Sequence, residues 1–441
     1  MNLLQRLSER FWFLPATMCV VAVVLAESLV QLDGSDAVDS LPSWVANLVY
    51  RVGESGSRDI LGAIASASLG VAGTTFSITM AVLALTSSSY GPRLVRNFMA
   101  DKGNQVVLGV YVSTFLYSLL VLRSIRDVGA LDSSSTQPFV PHLAVNGAVL
   151  LAVANVAVLV YFIHHISDSI QISTLSGRVR TDLLETVDRL YDAAEGEQTP
   201  RASTEALPAS EPPASAGAVR GDGAGYVQSI DDQQIVELAQ EHDLVVWMSV
   251  QPGDHLLPDT ALMRVEPAGV DDEVLADLRG SVLVGDARSP FQDVAFAAQQ
   301  LTELAVRALS PGTNDPYTAI NALDDLSVGL STMAERPRPT SWRRADDGTA
   351  RLHWRHPTAE TVVAAVVDQM RWYAASAPSV MSATLRLLER VGSAGDDQLR
   401  SELRTQVDRL AESFDRAENQ PCDARAFAEL TATSRSRLAP G

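Results

Sequence analysis

The chain has 441 residues, 46% of them hydrophobic, and a formal net charge of −19. Residues 1–190 carry 12 Lys+Arg against 14 Asp+Glu, and residues 191–441 carry 22 against 39, so the acidity lies in the C-terminal half. Such a surface repels nucleic acid and anionic lipid, which argues against both as partners of that half. The two cysteines, Cys19 and Cys422, provide neither a disulfide framework nor paired zinc ligands.

Four apolar segments occupy the N-terminal part. A helix crossing about 30 Å of hydrocarbon needs about 20 apolar residues. Phe11 to Gln31, Ile60 to Thr86, Val106 to Leu122 and Leu143 to Ile163 are read as such spans, the third being the shortest. The first reads as a retained anchor, because its apolar run is longer than a signal sequence needs and no small-residue cleavage site precedes Leu29-Val30. Arg6, Arg10, Arg93, Arg96, Lys102, Arg178, Arg180 and Arg189 fall on one side; Arg51, Arg58, Arg123 and Arg126 fall on the other. By the positive-inside rule both termini are expected in the cytoplasm, with the plasma (inner) membrane as the location.

The second span carries small residues in two rows, Gly62, Ser66, Gly70, Thr74 and Ala65, Leu69, Gly73, Ser77. Such rows let helices approach closely. Thr74, Thr75, Ser77 and Thr79 then place four hydroxyls in one stretch, and Asn155 adds an amide in the fourth span. Two readings stand: tight packing with each hydroxyl bonded back to its own helix, or a polar path for ions or small solutes. Asn155 is expected to bond one of those hydroxyls. Glu27, near the outer end of the first span, is an ionisable candidate that can also snorkel. No span has an acid or base at its centre, which weakens a proton-driven pump. His164 and His165 close the fourth span; as neighbours they point to different helix faces and form no ready metal site.

Residues 169–191 read as a helix leaving the membrane. Residues 192–224 turn to Pro, Ala, Ser, Gly and Glu, and read as a disordered linker. Gly221-Asp222-Gly223-Ala224-Gly225 lies within it and is not read as a phosphate loop, since no strand is expected before it and no helix start after it. Residues 225–290 read as a small α/β module: strands at Tyr226 to Ile230, Leu244 to Val250, Ala261 to Val265 and Ser281 to Val284, and a helix at Asp231 to Glu241 with an Asp cap. Residues 291–441 read as a helical module, with helices at 291–309, 315–334, 358–375, 379–392 and 396–417. A hairpin at 342–355, turned at Asp347-Gly348, interrupts it.

Three features of this half could carry contacts. Val250-Gln251-Pro252-Gly253-Asp254 resembles the turn of biotinyl and lipoyl half-barrels, yet the chain's one lysine is Lys102, so neither cofactor can be attached there and none is expected. Leu309 to Pro316 reads as a helix–helix corner with Asp315 as N-cap and Pro316 at the first position; Arg307 could pair with Asp315, and Arg307, Asn314 and Asp315 are candidate ligand or partner contacts. Strict alternation puts Arg351, His353 and Arg355 on one hairpin face and Leu352 and Trp354 on the other, so Arg351 and Arg355 are further contact candidates in a basic patch extended by Arg343 and Arg344. The seven histidines show no ligand spacing, and no nucleophile elbow, Walker loop or zinc-protease motif occurs. No catalytic, cofactor or metal residue is assigned, and the chain is not expected to be an enzyme.

Thr75-Phe76-Ser77-Ile78-Thr79, Tyr90-Gly91-Pro92-Arg93, Arg96-Asn97-Phe98 and Gln105-Val106-Val107-Leu108-Gly109 resemble the bacterial membrane family named domain of unknown function 2254. Ser169-Ile170-Gln171 and Arg307 to Pro316 are similar to its pattern as well. The resemblance spans nearly the whole chain apart from the linker, which is long for the family. Asp259 stands where the family pattern implies glycine, implying a looser turn there. The family implies a bacterial plasma-membrane protein of this layout and brings no activity with it.

The expected fold is therefore an α-helical membrane protein, with four transmembrane helices (1–168) and a cytoplasmic α+β domain made of a small α/β module followed by a helical module. The expected partners are the lipid bilayer and further copies of the chain, with no nucleic acid. The expected function is an oligomeric channel or passive transport protein gated by the cytoplasmic domain. The alternative is a membrane-anchored sensor or scaffold whose cytoplasmic domain binds a ligand or partner protein.

Overall fold

The computed structural model describes residues 12–34, 53–90, 102–125, 139–169, 171–191 and 207–439. The loop arginines used for orientation at positions 6, 10, 51, 93, 96 and 126 lie outside them, as does the first half of the expected linker, 192–206. The chain divides into two compact units, 1–171 and 172–441.

In the first unit α1 (Phe13–Asp33), α2 (Glu54–Tyr90), α3 (Lys102–Ser124) and α4 (His142–Ser169) are each long and apolar enough to cross a membrane. The third, shortest by sequence, is the most buried, because it packs against all three others. Close approach is set by two glycines that the small-residue rows did not include. A Cβ at Gly109 would reach Pro15 Cα at 3.2 Å and collide with the Met18 sulfur; one at Gly147 would meet the Tyr117 hydroxyl at 2.6 Å. At Gly62, Gly70 and Gly73 of α2 a Cβ would meet nothing within 4 Å. Asp33, at the end of α1, accepts from the backbone N–H groups of Leu143 and Ala144, both at 3.0 Å, and so satisfies the first turn of α4.

In the second unit α5 (Ile172–Tyr191) is no free-standing connector. The helical stretch expected over 169–191 is interrupted at Gln171, and α5 packs against α8 (Val294–Ala308) and α9 (Pro316–Glu335). Val179, Leu183, Val187 and Leu190 recur every three or four residues and are all buried. Arg180 pairs with Asp325 at 2.8 Å.

The linker reading is corrected over its second half. β1 (Gly217–Arg220) pairs antiparallel with β5 (Ala261–Glu266), and the segment before it lies over Trp247, whose Nε1 donates to Ala209 O at 2.9 Å. The segment has few large apolar residues because it covers a tryptophan instead of burying side chains of its own. A strand therefore does precede Gly221–Gly225, but β2 (Gly225–Ile230) follows, so no helix N-terminus opens there for a phosphate.

α6 (Asp232–Glu241), β3 (Val245–Met248), β4 (His255–Leu256), α7 (Asp272–Gly280) and β6 (Val282–Gly285) complete the α/β part. The strands at 217–220 and 255–256 and the helix at 272–280 were not expected. β7 (Trp342–Arg344) and β8 (Ala350–His353) form the expected hairpin, but the hairpin does not belong to the helical module. β8 runs parallel to β3, with Val246 opposite Leu352, and closes a five-stranded sheet in the order β1-β5-β3-β8-β7; a three-stranded sheet has the order β4-β2-β6. Leu352 and Trp354 join the core of Val227, Ile230, Leu244, Val246, Leu262 and Met263. α10 (Ala359–Tyr373), α11 (Pro378–Ala394), α12 (Asp397–Arg416) and an unexpected α13 (Pro421–Arg437) complete the helical layer. Asp231, Asp293, Asp315 and Asp396 each accept from a backbone N–H three residues on, which fixes where α6, α8, α9 and α12 begin.

Candidate functional site

α2 is the least apolar of the four spans, and its polarity is divided between two faces. Leu61, Ala65, Ser68, Ala72, Thr75, Thr79 and Val82 are buried, at steps of three and four residues. Ser66, Gly70, Gly73, Thr74 and Ser77 are exposed on the opposite face of the chain. The five residues read as one polar path are therefore not brought together. Thr75 and Thr79 turn inward, and their hydroxyls donate to Ala72 O at 2.9 Å and Thr75 O at 2.8 Å. Thr74 turns outward, with its hydroxyl on Gly70 O at 2.9 Å.

Asn155 is buried but does not bond that hydroxyl stretch. Its Nδ2 donates to Ser68 Oγ at 3.1 Å, its Oδ1 accepts from Thr114 Oγ1 at 3.2 Å, and its carbonyl accepts from the Tyr111 hydroxyl at 2.8 Å. These bonds join α2, α3 and α4 at one level. Ser68 and Thr114 were not singled out from sequence. The signal for Ser68 was its step of seven from Thr75, since seven residues nearly close two helical turns.

Glu27 meets Arg123 at 3.3 Å on the rim of a cavity of about 540 Å³ lined by Ala26, Val30, Leu120 and Phe139. His164 faces Asp168 at 3.3 Å, while His165 stacks on Tyr161 with ring centroids 5.3 Å apart, so the two histidines have separate surroundings. Among the described residues no three His, Cys, Asp or Glu side chains stand together as a metal site.

In the second unit the 309–316 loop is a closed corner. Thr313 and Asn314 N–H both reach Ser310 O, Asp315 N–H reaches Ala308 O at 2.8 Å, and Asn314 adopts a left-handed φ of 46°. The Asp315 carboxylate is held by the Thr318 hydroxyl at 2.6 Å and the Thr318 N–H at 3.1 Å. The hydroxyl bond, then the backbone bond, hold its pKa below the usual carboxylate value. That carboxylate is spent on the cap. Arg307 is not among the groups that act on it, and Arg307 and Asn314 are left exposed.

The hairpin patch is corrected more strongly. Arg351 is buried; its Nη1 donates to Asp243 Oδ1 at 2.7 Å and Leu244 O at 3.2 Å. Arg343 is buried against Asp232 at 3.4 Å, and His353 lies against Trp342 with ring centroids 4.9 Å apart. Alternation separates the two faces as expected, but both are covered, and Arg355 alone of the alternating three is exposed. His356 follows, packed on Trp354; burial, then the nearby Arg343 charge, push its pKa down to about 4.

The Pro-Gly-Asp turn is structural. Gly253 has a φ of 95°, and any Cβ there would enter the buried Asp293 carboxylate. Burial raises the Asp293 pKa, against the pull of Arg288 at 2.7 Å and the Phe296 N–H. Asp259 has a φ of 64°, a conformation that glycine adopts freely. The turn is not loose: Asp259 N–H reaches Gly221 O at 3.1 Å, and its carbonyl accepts from Arg220 at 2.7 Å.

A family model described as "Predicted membrane protein (DUF2254)" matches residues 8–390. Uncharacterized proteins of Mycobacterium bovis and Mycobacterium tuberculosis are each 32% identical over 388 residues, spanning 85% of this chain and 72% of theirs. A second Mycobacterium tuberculosis protein is 31% identical over the same shares. No solved structure matches.

Proposed function

The chain belongs to the DUF2254 family of predicted membrane proteins, and we propose that it is a non-catalytic, homo-oligomeric channel or passive path for ions or small polar solutes. The location would be the bacterial plasma membrane, with both termini cytoplasmic and the second unit acting as the gate. One observation carries the reading. Ser66, Gly70, Gly73, Thr74 and Ser77 form a continuous outward stripe of hydroxyls and bare backbone on a spanning helix. Lipid offers such a stripe neither hydrogen bonds nor side chains shaped to fill it, whereas the same stripe on a second copy, or a water column between copies, does. The pore is thus assigned to the outward face of α2, between copies; Thr75, Thr79 and Asn155 hold each copy together.

Purified full-length protein in liposomes tests this by ion flux. Ser77→Leu and Thr74→Leu should reduce flux at least tenfold while leaving the protein folded. Flux that is absent from folded wild-type protein, or indifferent to both substitutions, would sink the pore.

The sensor or scaffold reading has one supporting observation of its own. A cleft of about 320 Å³, large enough for a small ligand, lies at the ends of α5, α9, α10 and α12. Tyr191, Arg336, Arg338, Glu360 and Asp396 line it, and Arg338 pairs with both acids. Ligand binding to the second unit without flux from the whole protein would favour that reading.

A further inference from the structure

A small cavity lies between α2, α3 and α4, behind the inward face of α2. Thr75, Thr79 and Asn104 supply its polar groups, and Phe76, Val107, Leu108 and Phe162 its apolar walls. Its volume of about 10 Å³ admits the centre of one water molecule and little more. Asn104 is 4% exposed, and both Oδ1 and Nδ2 of its amide are buried with no hydrogen-bond partner among the described residues. The Thr75 and Thr79 hydroxyls already donate their protons to Ala72 O and Thr75 O, so each presents lone pairs only.

We infer that this cavity is a binding site for one ordered water, which bridges Asn104 on α3 to Thr75 and Thr79 on α2. The match is one of count and chemistry. A buried water makes about three hydrogen bonds. Here Nδ2 can donate to it, and Asn104 Oδ1 with the two threonine oxygens offers acceptors for its two protons. A dry cavity would leave a buried amide donor and acceptor both unmet. A metal cation fits worse, because it would face the Nδ2 protons and the positive N-terminal end of α3, two residues from Lys102. Chloride is larger than the space. The site stands whether or not the outward face of α2 lines a pore.

The consequence is a water-mediated seam between α2 and the first turn of α3, and it is read by thermal unfolding of the full-length protein in detergent. With the water present, Thr79→Val removes an acceptor at nearly constant shape and Asn104→Leu removes the amide. Each should lower the unfolding temperature by about 2–4 °C, and the double variant should lose less than the sum, because both act through one molecule. A dry cavity predicts the opposite for Asn104→Leu, an increase; that result overturns the inference. If Asn104→Leu does not fold, the density at the cavity decides alone. A map of the full-length protein at about 2 Å tests the water independently: a single spherical peak within hydrogen-bond reach of Asn104 supports it, and an empty cavity or a side chain filling it overturns it.

Discussion

Ser66, Gly70, Thr74 and Ser77 lie open on the outside of the first unit, whereas Arg343 and Arg351 of the β7–β8 hairpin are closed into the second. The α2 set shares a face at helical spacing, and Arg351 shares one with His353 by strand alternation, whereas Arg343, paired with Leu352, lies on the other face of the hairpin. What differs is what each face meets. The sheet continues past the hairpin on one side, and Asp232, Asp243 and Trp247 cover it. Among the described residues the α2 stripe has nothing over it, because α3 and α4 both pack on the other side. A polar stripe thus marks a contact surface only where the fold leaves it uncovered.

Two predictions press on the closed side of this comparison, and their effects descend in size. His356, just beyond β8, is held neutral by burial. Its pKa in the folded chain is about 4 against 6.5 ordinarily, so its contribution is complete above pH 6.5 and lost as the pH falls towards 4. The loss should approach about 3 kcal/mol. Denaturant unfolding of wild type and His356→Phe across that window checks this; identical pH profiles would show that the hairpin interior is wetter than its packing implies. Arg351→Ala should cost about 2 kcal/mol by leaving Leu244 O buried without that donor. A cost near zero would make Arg351 a surface residue after all.

Gly109→Ala and Gly70→Ala bring the same test to the membrane. The first drives a methyl into Met18 and Pro15 and should destabilise by about 1–3 kcal/mol. The second meets open space in a single copy and should leave the unfolding temperature unchanged, while altering the oligomer if copies meet on that face. Equal effects would mean that the outward face of α2 is packed as closely as the contact between α1 and α3. The smallest effect lies at Asp259, whose left-handed backbone suits glycine. Asp259→Gly should raise stability by less than about 1 kcal/mol, read as a higher unfolding temperature.

Much of the fold was legible. The spans follow from length and hydropathy alone, and the Asp-capped helix starts from a one-residue signal. The segment 207–224 was not, because its stabilisation comes from what it covers, Trp247 and the β5 edge, which no local pattern records. The parallel pairing of β8 with β3 joins residues about a hundred positions apart and breaks the module boundary that composition suggested. Of the polar span residues, Thr74 to Thr79 were visible as a cluster, but rows at steps of four drift about 40° per step around the helix. They therefore mix the two faces. The step of seven that separates Ser68 from Thr75 keeps to one face.

The sequence by itself determined that four helices span a membrane, that an acidic α+β unit follows them, and which residues share a helix or strand face, because each depends on the chemistry of neighbours along the chain. Only the tertiary structure decided which face is covered. Thr75, Thr79, Asn155, Arg343 and Arg351 turn inward, and Thr74, Ser77 and Arg355 turn outward, because burial depends on elements far away in sequence that pack against one side and leave the other bare.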